Sequence, residues 1–295
     1  MTTSSGQNYL AIPGPSVVPD EVLRSMHRPA PNIYEGELIE ITESLIQDLN
    51  YVARSSGKVA MYIANGHGIW EAALSNMVSK GDYILVIATG RFAYGWAEMA
   101  KRMEIKIDIV DFGKDKALDV ETVSKKLLSQ PKNKYKAILL TQVDTSTSVK
   151  NDIKSLRKKL TEIECQSLLA VDCIASLACD RFEMDAWGVD VMVAACQKGL
   201  MVPPGMGFVF FNHRAEERQK ELKNVSLYWD WEPRVNPSRY YEYFCGTAPT
   251  HHIYGLRTAL DMIKNEEIEK TWKRHEILSQ AIWAAVDRWS LGSDI

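Results

Sequence analysis

The sequence predicts an α/β fold with a mostly parallel sheet of seven strands and helices on both faces. Three observations predict it. From about residue 58, short β-rich runs alternate with amphipathic stretches of helical length. Most of those runs are apolar from end to end, as strands covered on both faces should be. At 295 residues and 46% hydrophobic, the chain also has enough apolar side chain to bury a sizeable core.

The elements follow in order. Residues 1–20 read as an extended leader, because the prolines of "IPGPSVVPD" forbid an interior strand. A long helix is expected near 36–54. "KVAMYIA" is the first strand, with a helix beginning near Ile69 in "IWEAALSNMV". "DYILVIA" (82–88) and "FAYGWAEMAKRM" are the next strand and helix, then "IKIDIVDF" with a helix around "LDVETVSKKLLSQ". "YKAILLTQV" precedes the helix "NDIKSLRKKLTEI", and "SLLAVD", "VDVMVAAC" and "GFVFF" complete the seven strands. The Trp- and Tyr-rich segment "VSLYWDWEPRVNPSRYYEYF" reads equally as a dimer surface or a substrate wall. Residues 21–248 are expected to form one large domain. The helices from "GTAPTHHIYGLRTALDMI" to Trp289 read as the start of a smaller C-terminal domain over 249–295, cut short at "SLGSDI".

Bulk properties exclude several classes. A net charge of −3 and a pI near 6.1 leave no basic footprint for nucleic acid or anionic lipid. The N-terminus lacks the cationic start and apolar run of a secretory signal. The longest mainly apolar run, "SLLAVDCIASLA", contains Asp172 and is far too short to span a bilayer. Five cysteines (165, 173, 179, 196 and 245) are odd in number and lack CxxC spacing, which argues against a disulfide framework or a zinc site. A cytoplasmic protein without a metal, and with neither nucleic acid nor membrane as partner, is the expectation.

Ligands of open parallel sheets bind beyond the carboxyl ends of the strands, and three such ends carry suggestive groups. "ANGHG" (64–68) precedes a helix, so it is either an anion cradle at a helix N-terminus or a tight turn that needs glycine. Asp172 closes "SLLAVD" as either a partner for a protonated ring nitrogen or a cap. Lys198 follows "VDVMVAAC" as either a snorkelling surface lysine or an amine whose burial lowers its pKa and suits it to Schiff-base chemistry. Together, an anion site, a strand-end aspartate and a strand-end lysine are what pyridoxal 5′-phosphate (PLP) requires. Dinucleotide binding would explain the first group alone, and its glycine fingerprint is absent.

These segments resemble the class V aminotransferases of PLP-dependent transferase fold type I, in particular the alanine–glyoxylate, serine–glyoxylate and serine–pyruvate group. The resemblance runs through "PGPSVVP" (13–19), "GHGIWEAALSN" (66–76), "GRFAYGWAE" (90–98), "DTSTSV" (144–149), "VDCIASL" (171–177), "CQKGLMVPPGMG" (196–207) and "GTAPTHHIYGLRTALDMI" (246–263). It implies a transaminase that moves an amino group from alanine or serine to glyoxylate or pyruvate. By position, Lys198 matches the lysine that binds the cofactor and shuttles the proton, and Asp172 matches the ring-nitrogen partner. Phe92 and Ile174 match the residues on the two ring faces, and Thr145 matches a hydroxyl that contacts the cofactor. Gly66, His67 and Gln197 match phosphate-site residues. Thr247 matches a threonine that reaches the partner subunit's cofactor, which implies a homodimer with shared sites.

The sequence departs from the pattern at Ile12 and Ser148, where glycine is usual, and at Phe244, where a tyrosine often supplies a phosphate hydroxyl. The family's carboxylate-clamping arginine is expected beyond this chain's end, after Arg257, Arg274 and Arg288. The same fold also carries aminoethylphosphonate transamination and cysteine desulfuration, although Gln197 stands where desulfurases commonly have histidine. A non-catalytic PLP-binding protein is the reading from a different class.

Overall fold

Successive side chains of a strand point to opposite faces of its sheet, so a run that is apolar throughout needs cover on both sides. The computed structural model, which describes residues 10–290, has this arrangement. Residues 1–9 of the expected leader and 291–295 of the expected C-terminal domain lie outside the described residues. The strands are β1 (Lys58–Tyr62), β2 (Tyr83–Ala88), β3 (Lys106–Asp111), β4 (Tyr135–Thr141), β5 (Leu168–Asp172), β6 (Val191–Ala195) and β7 (Gly207–Phe211). They form one sheet in the order β1-β7-β6-β5-β4-β2-β3. Neighbours run parallel from β6 across to β3, whereas β7 is antiparallel to both β1 and β6. The expected mostly parallel sheet of seven strands is therefore present, with β7 reversed. The connection from β6 to β7, residues 196–206, is too short to carry the helical crossover that a parallel neighbour needs.

The two faces are sorted by alternation. Met61, Leu85, Ile87, Ile138, Leu140, Val171, Met192 and Phe210 pack beneath α1 (Asp20–Met26), α2 (Glu37–Ala53), α5 (Val120–Leu128), α6 (Ile153–Glu162) and α9 (Thr250–Glu266). Their sequence neighbours Tyr62, Ile84, Val86, Ala137, Leu139, Ala170, Val193 and Phe211 pack beneath α3 (Gly66–Met77), α4 (Arg91–Arg102) and α7 (His213–Lys220). The helices are amphipathic in the way this requires. Leu38, Thr42, Leu45, Leu49 and Val52 form one buried stripe of α2, at three- and four-residue spacing. Ala93, Trp96, Ala97 and Ala100 do the same on α4.

Two local expectations change. The helix expected from about Ile69 begins at Gly66, because the Asn65 side chain accepts from the Gly68 N–H at 3.2 Å and caps it. "GHG" is thus the first helical turn and not a loop before it. The aromatic segment, read above as surface or wall, is partly core. Trp231 is fully buried and stacks on Phe211 with ring centroids 4.0 Å apart. Arg234 of α8 (Glu232–Val235) is buried too, donating to the carbonyls of Met61, Tyr243 and Tyr228 beneath the Tyr62 ring. The last helix, α10 (Ile268–Ser290), buries Ile268, Thr271 and Trp272 and is mostly exposed beyond them. No helix of the described residues is long and apolar enough to cross a membrane.

Candidate active site

Strands β4, β5 and β6 run the same way, so the residues that follow them converge at one edge of the sheet. There Thr145 follows β4, Asp172 ends β5, and Gln197 and Lys198 lie in the turn after β6. Gly66 and His67 open α3 nearby, and Phe92 opens α4. These residues and Ile174 line one cavity of about 500 Å³, which the leader residues Pro13, Gly14 and Pro15 close on one side. Thr247 is exposed and does not reach this cavity.

Lys198 is held by its main chain and by one hydrogen bond at its tip. Its carbonyl accepts from the Met201 N–H at 2.9 Å and from the Ser16 hydroxyl at 3.0 Å. Its Nζ donates to Thr145 Oγ1 at 3.0 Å and lies 5.9 Å from the centre of the Phe92 ring. Burial lowers its pKa, opposed by the negative charge of Asp172, so a larger share of the amine is unprotonated at neutral pH than for a surface lysine. Gly14, in a left-handed conformation (φ +149°), packs against this side chain, and a Cβ there would come within 2.8 Å of Lys198 Cε.

Asp172 is almost wholly buried. One carboxylate oxygen accepts from the Ile174 N–H at 2.7 Å and the other from the Trp70 indole N–H at 2.8 Å. Loss of hydration pushes its pKa up to about 6, against the pull of those two donors and of Lys198. It is a carboxylate in want of a cation.

The Gly66 and His67 N–H groups, on the wall of the same cavity, have no protein acceptor among the described residues, at the positive end of a 12-residue helix. Gly66 closely approaches Ile174: a Cβ at residue 66 would come within 2.6 Å of Ile174 Cδ1. Phe92 and Ile174 are both half-buried on the cavity wall. The side-chain oxygen of Gln197 is buried without a partner, a placement that calls for a ligand.

The chain matches the Aminotransferase class-V family across residues 9–290. It is also 32% identical over 287 residues to a serine–glyoxylate aminotransferase of Arabidopsis thaliana, a match covering 97% of this chain and 72% of that protein. A serine–glyoxylate aminotransferase of Methylorubrum extorquens is 31% identical over 298 residues, covering 98% of this chain and 73% of the other. The chain belongs to the class V aminotransferases. Among solved structures, the alanine–glyoxylate aminotransferase of Nostoc sp. has the same fold, with a TM-score of 0.87 at 23% identity, covering 98% of this chain and 76% of that one.

Class V aminotransferases work with PLP, and the cavity of this aminotransferase fits that group. It has the volume of a small-cofactor site. It also offers N–H donors without a protein acceptor, an unpartnered amide oxygen, a buried carboxylate and an amine.

Some features of the site were not legible as such in the sequence. Trp70 sits within a helix whose other apolar residues are core, and nothing local marks its indole as an Asp172 partner. Asp144 is fully buried and organises the segment around Thr145: it accepts from the Phe92 N–H at 2.9 Å, the Ser146 N–H at 2.9 Å and the Ser146 hydroxyl at 2.6 Å. Its signal was an aspartate leading a Thr/Ser run. Phe244, where the family pattern often has a tyrosine, is buried in the core. Arg257 is tied to Asp48, Asp261 and Ser44. Arg274 pairs with both oxygens of Glu266 in an adjoining chamber of about 340 Å³ that shares Lys198. Burial pushes the thiols of Cys173, Cys179 and Cys196 up, the last two to about 11, so none of the three is a ready thiolate nucleophile.

Proposed function

We propose that this aminotransferase transfers an amino group from a small amino acid, serine or alanine, to glyoxylate or pyruvate, with PLP held in the cavity described above. That the relatives are serine–glyoxylate aminotransferases supports glyoxylate as acceptor. The observation that carries the reading is the pairing, in one cavity, of a half-buried amine of lowered pKa with a fully buried carboxylate.

Bound PLP supplies an electron sink that stabilises negative charge at the substrate Cα. The residues divide the remaining work. Gly66 and His67 direct their N–H groups at the phosphate, aided by the α3 dipole. Gln197 adds its amide, which presents a donor or an acceptor by rotation. Phe92 and Ile174, both on the cavity wall, would hold the ring. Asp172 holds a proton on the ring nitrogen, and the cation formed there repays the cost of its own burial. Lys198 Nζ would hold the cofactor and, when free, would move the proton at the substrate Cα, general acid–base help of about 10²–10⁴-fold. Thr145 receives a hydrogen bond from Lys198 Nζ and so aims it.

Thr247 faces solvent on its own chain, so a role at the phosphate requires a second copy. We assign it to the partner's site in a homodimer. Cysteine desulfuration lacks support from Cys173, Cys179 and Cys196, whose thiols are pushed up by burial. The deciding experiment offers serine, alanine, aminoethylphosphonate and cysteine in turn with glyoxylate or pyruvate and follows the cofactor's visible spectrum and the products. Turnover with serine or alanine is expected. Turnover with aminoethylphosphonate alone, or sulfur release from cysteine, would replace this reading.

A further inference from the structure

Trp70 is a buried indole whose surroundings leave it one orientation. Its ring lies parallel to that of Trp96, with centroids 6.1 Å apart, and meets Phe92 edge-on at 6.2 Å and His67 at 4.6 Å. The Trp96 indole donates to the Trp70 carbonyl at 3.3 Å, and a Cβ at Gly95 would come within 3.1 Å of the Trp70 ring. So held, the Trp70 N–H points at one oxygen of Asp172. The same helix presents Gly66 and His67 to the cavity, so α3 carries both those N–H donors and the partner of the carboxylate.

We propose that Trp70 is a positioning residue of this site: its indole N–H fixes the Asp172 carboxylate and keeps it ionised, so that Asp172 holds the proton on the cofactor ring nitrogen. The proposal rests on the PLP reading above. A packing role alone would need only the ring, and a phenyl group would then serve.

The electrostatics are local. A donor to the ionised form favours that form, and a hydrogen bond to a charged group is among the stronger ones. Around Asp172, Lys198 after β6 favours ionisation and Asp144 after β4 opposes it. The adjoining Cys173 thiol keeps its proton through burial, and His67 touches the far side of the indole. Without the Trp70 N–H, only the Ile174 N–H and Lys198 remain to oppose protonation of Asp172.

The test is a double-mutant cycle read as PLP affinity of the cofactor-stripped protein, for wild type, Trp70→Phe, Asp172→Asn and the double variant, from about pH 5 to pH 9. Trp70→Phe should weaken PLP binding by about tenfold near neutral pH, and by less at the alkaline end, where Asp172 ionises regardless. In the Asp172→Asn background the same change should have almost no effect. Equal losses in both backgrounds, or no loss in either, would overturn the proposal and leave Trp70 as packing. A wild type that does not bind PLP would sink the functional reading instead. A second measurement stands apart from both PLP and the folding of Trp70→Phe. In protein labelled with ¹⁵N-tryptophan, one indole N–H resonance should titrate near pH 6, and that titration should vanish in Asp172→Asn. A spectrum in which no indole follows Asp172 overturns the proposal.

Discussion

The hydroxyl of Ser16 donates to the main-chain carbonyl of Lys198 at 3.0 Å, across 182 positions of sequence. The Ser16 N–H also donates to the Gln197 carbonyl at 2.8 Å. Together the two bonds clip the leader onto the turn that carries the lysine and make Pro13, Gly14 and Pro15 part of the cavity wall. Ser16→Ala removes one of them. It should cost about 0.5–1.5 kcal/mol of stability and speed proteolytic cleavage of the leader. Unchanged melting and unchanged cleavage would show that the hydroxyl does not hold the strap.

Lys198→Ala should abolish cofactor fixation by borohydride while leaving the circular-dichroism spectrum intact. The side chain is half-buried and its tip bonds only Thr145 Oγ1, so the fold loses little with it. Mass mapping of the reduced wild type checks the assignment, because cofactor found on another lysine would move the role there.

Asp172 makes the cofactor-free protein sensitive to pH in a direction that can be worked out. Its folded pKa is raised from 3.8 to about 6, so the folded chain holds a proton that the unfolded chain has released. Stability from this group is therefore fully present below about pH 3.8 and is lost as pH rises through 6. Relative to Asp172→Asn, which does not titrate, the cofactor-free wild type should lose about 3 kcal/mol of unfolding free energy across that window. Urea unfolding of both proteins at several pH values measures it, and a constant difference would contradict a raised pKa. In turnover, Asp172→Asn should cost about 3–4 kcal/mol of transition-state stabilisation, because a neutral amide cannot hold the ring proton by charge.

Ser148 has φ +61°, a left-handed conformation, and its N–H donates to the Asp144 carbonyl at 2.8 Å. The strain of such a residue is about 1–2 kcal/mol, offset in part by the greater unfolded-state freedom of glycine. Ser148→Gly should therefore raise stability by up to about 1 kcal/mol and leave cofactor binding unchanged. A lowered melting temperature would mean that the serine hydroxyl has a compensating contact.

The departure at Ser148 shows how sequence and structure divide the account. A serine stands where glycine is usual, and the backbone there has a left-handed conformation, held by the Asp144 carbonyl, while the Asp144 carboxylate is held in turn by the Phe92 N–H. Local preference yields to tertiary contacts that outweigh it.

The strands and most helices were determined by the sequence alone, since their signals are local: continuous apolar runs for β2, β4, β5 and β6, and three- to four-residue stripes for α2 and α4. The strand-end positions of Asp172 and Lys198 were legible for the same reason. They follow the last residues of runs whose direction and cover are fixed by their own composition. Only the tertiary structure decided that β7 runs backwards beside β1, that the leader returns over Lys198, that Trp231 stacks on Phe211 and that the Trp70 indole meets Asp172. Each of these joins residues far apart in sequence. The free energy that selects it comes from burial and from hydrogen bonds shielded by that burial, and neither exists until the sheet has assembled.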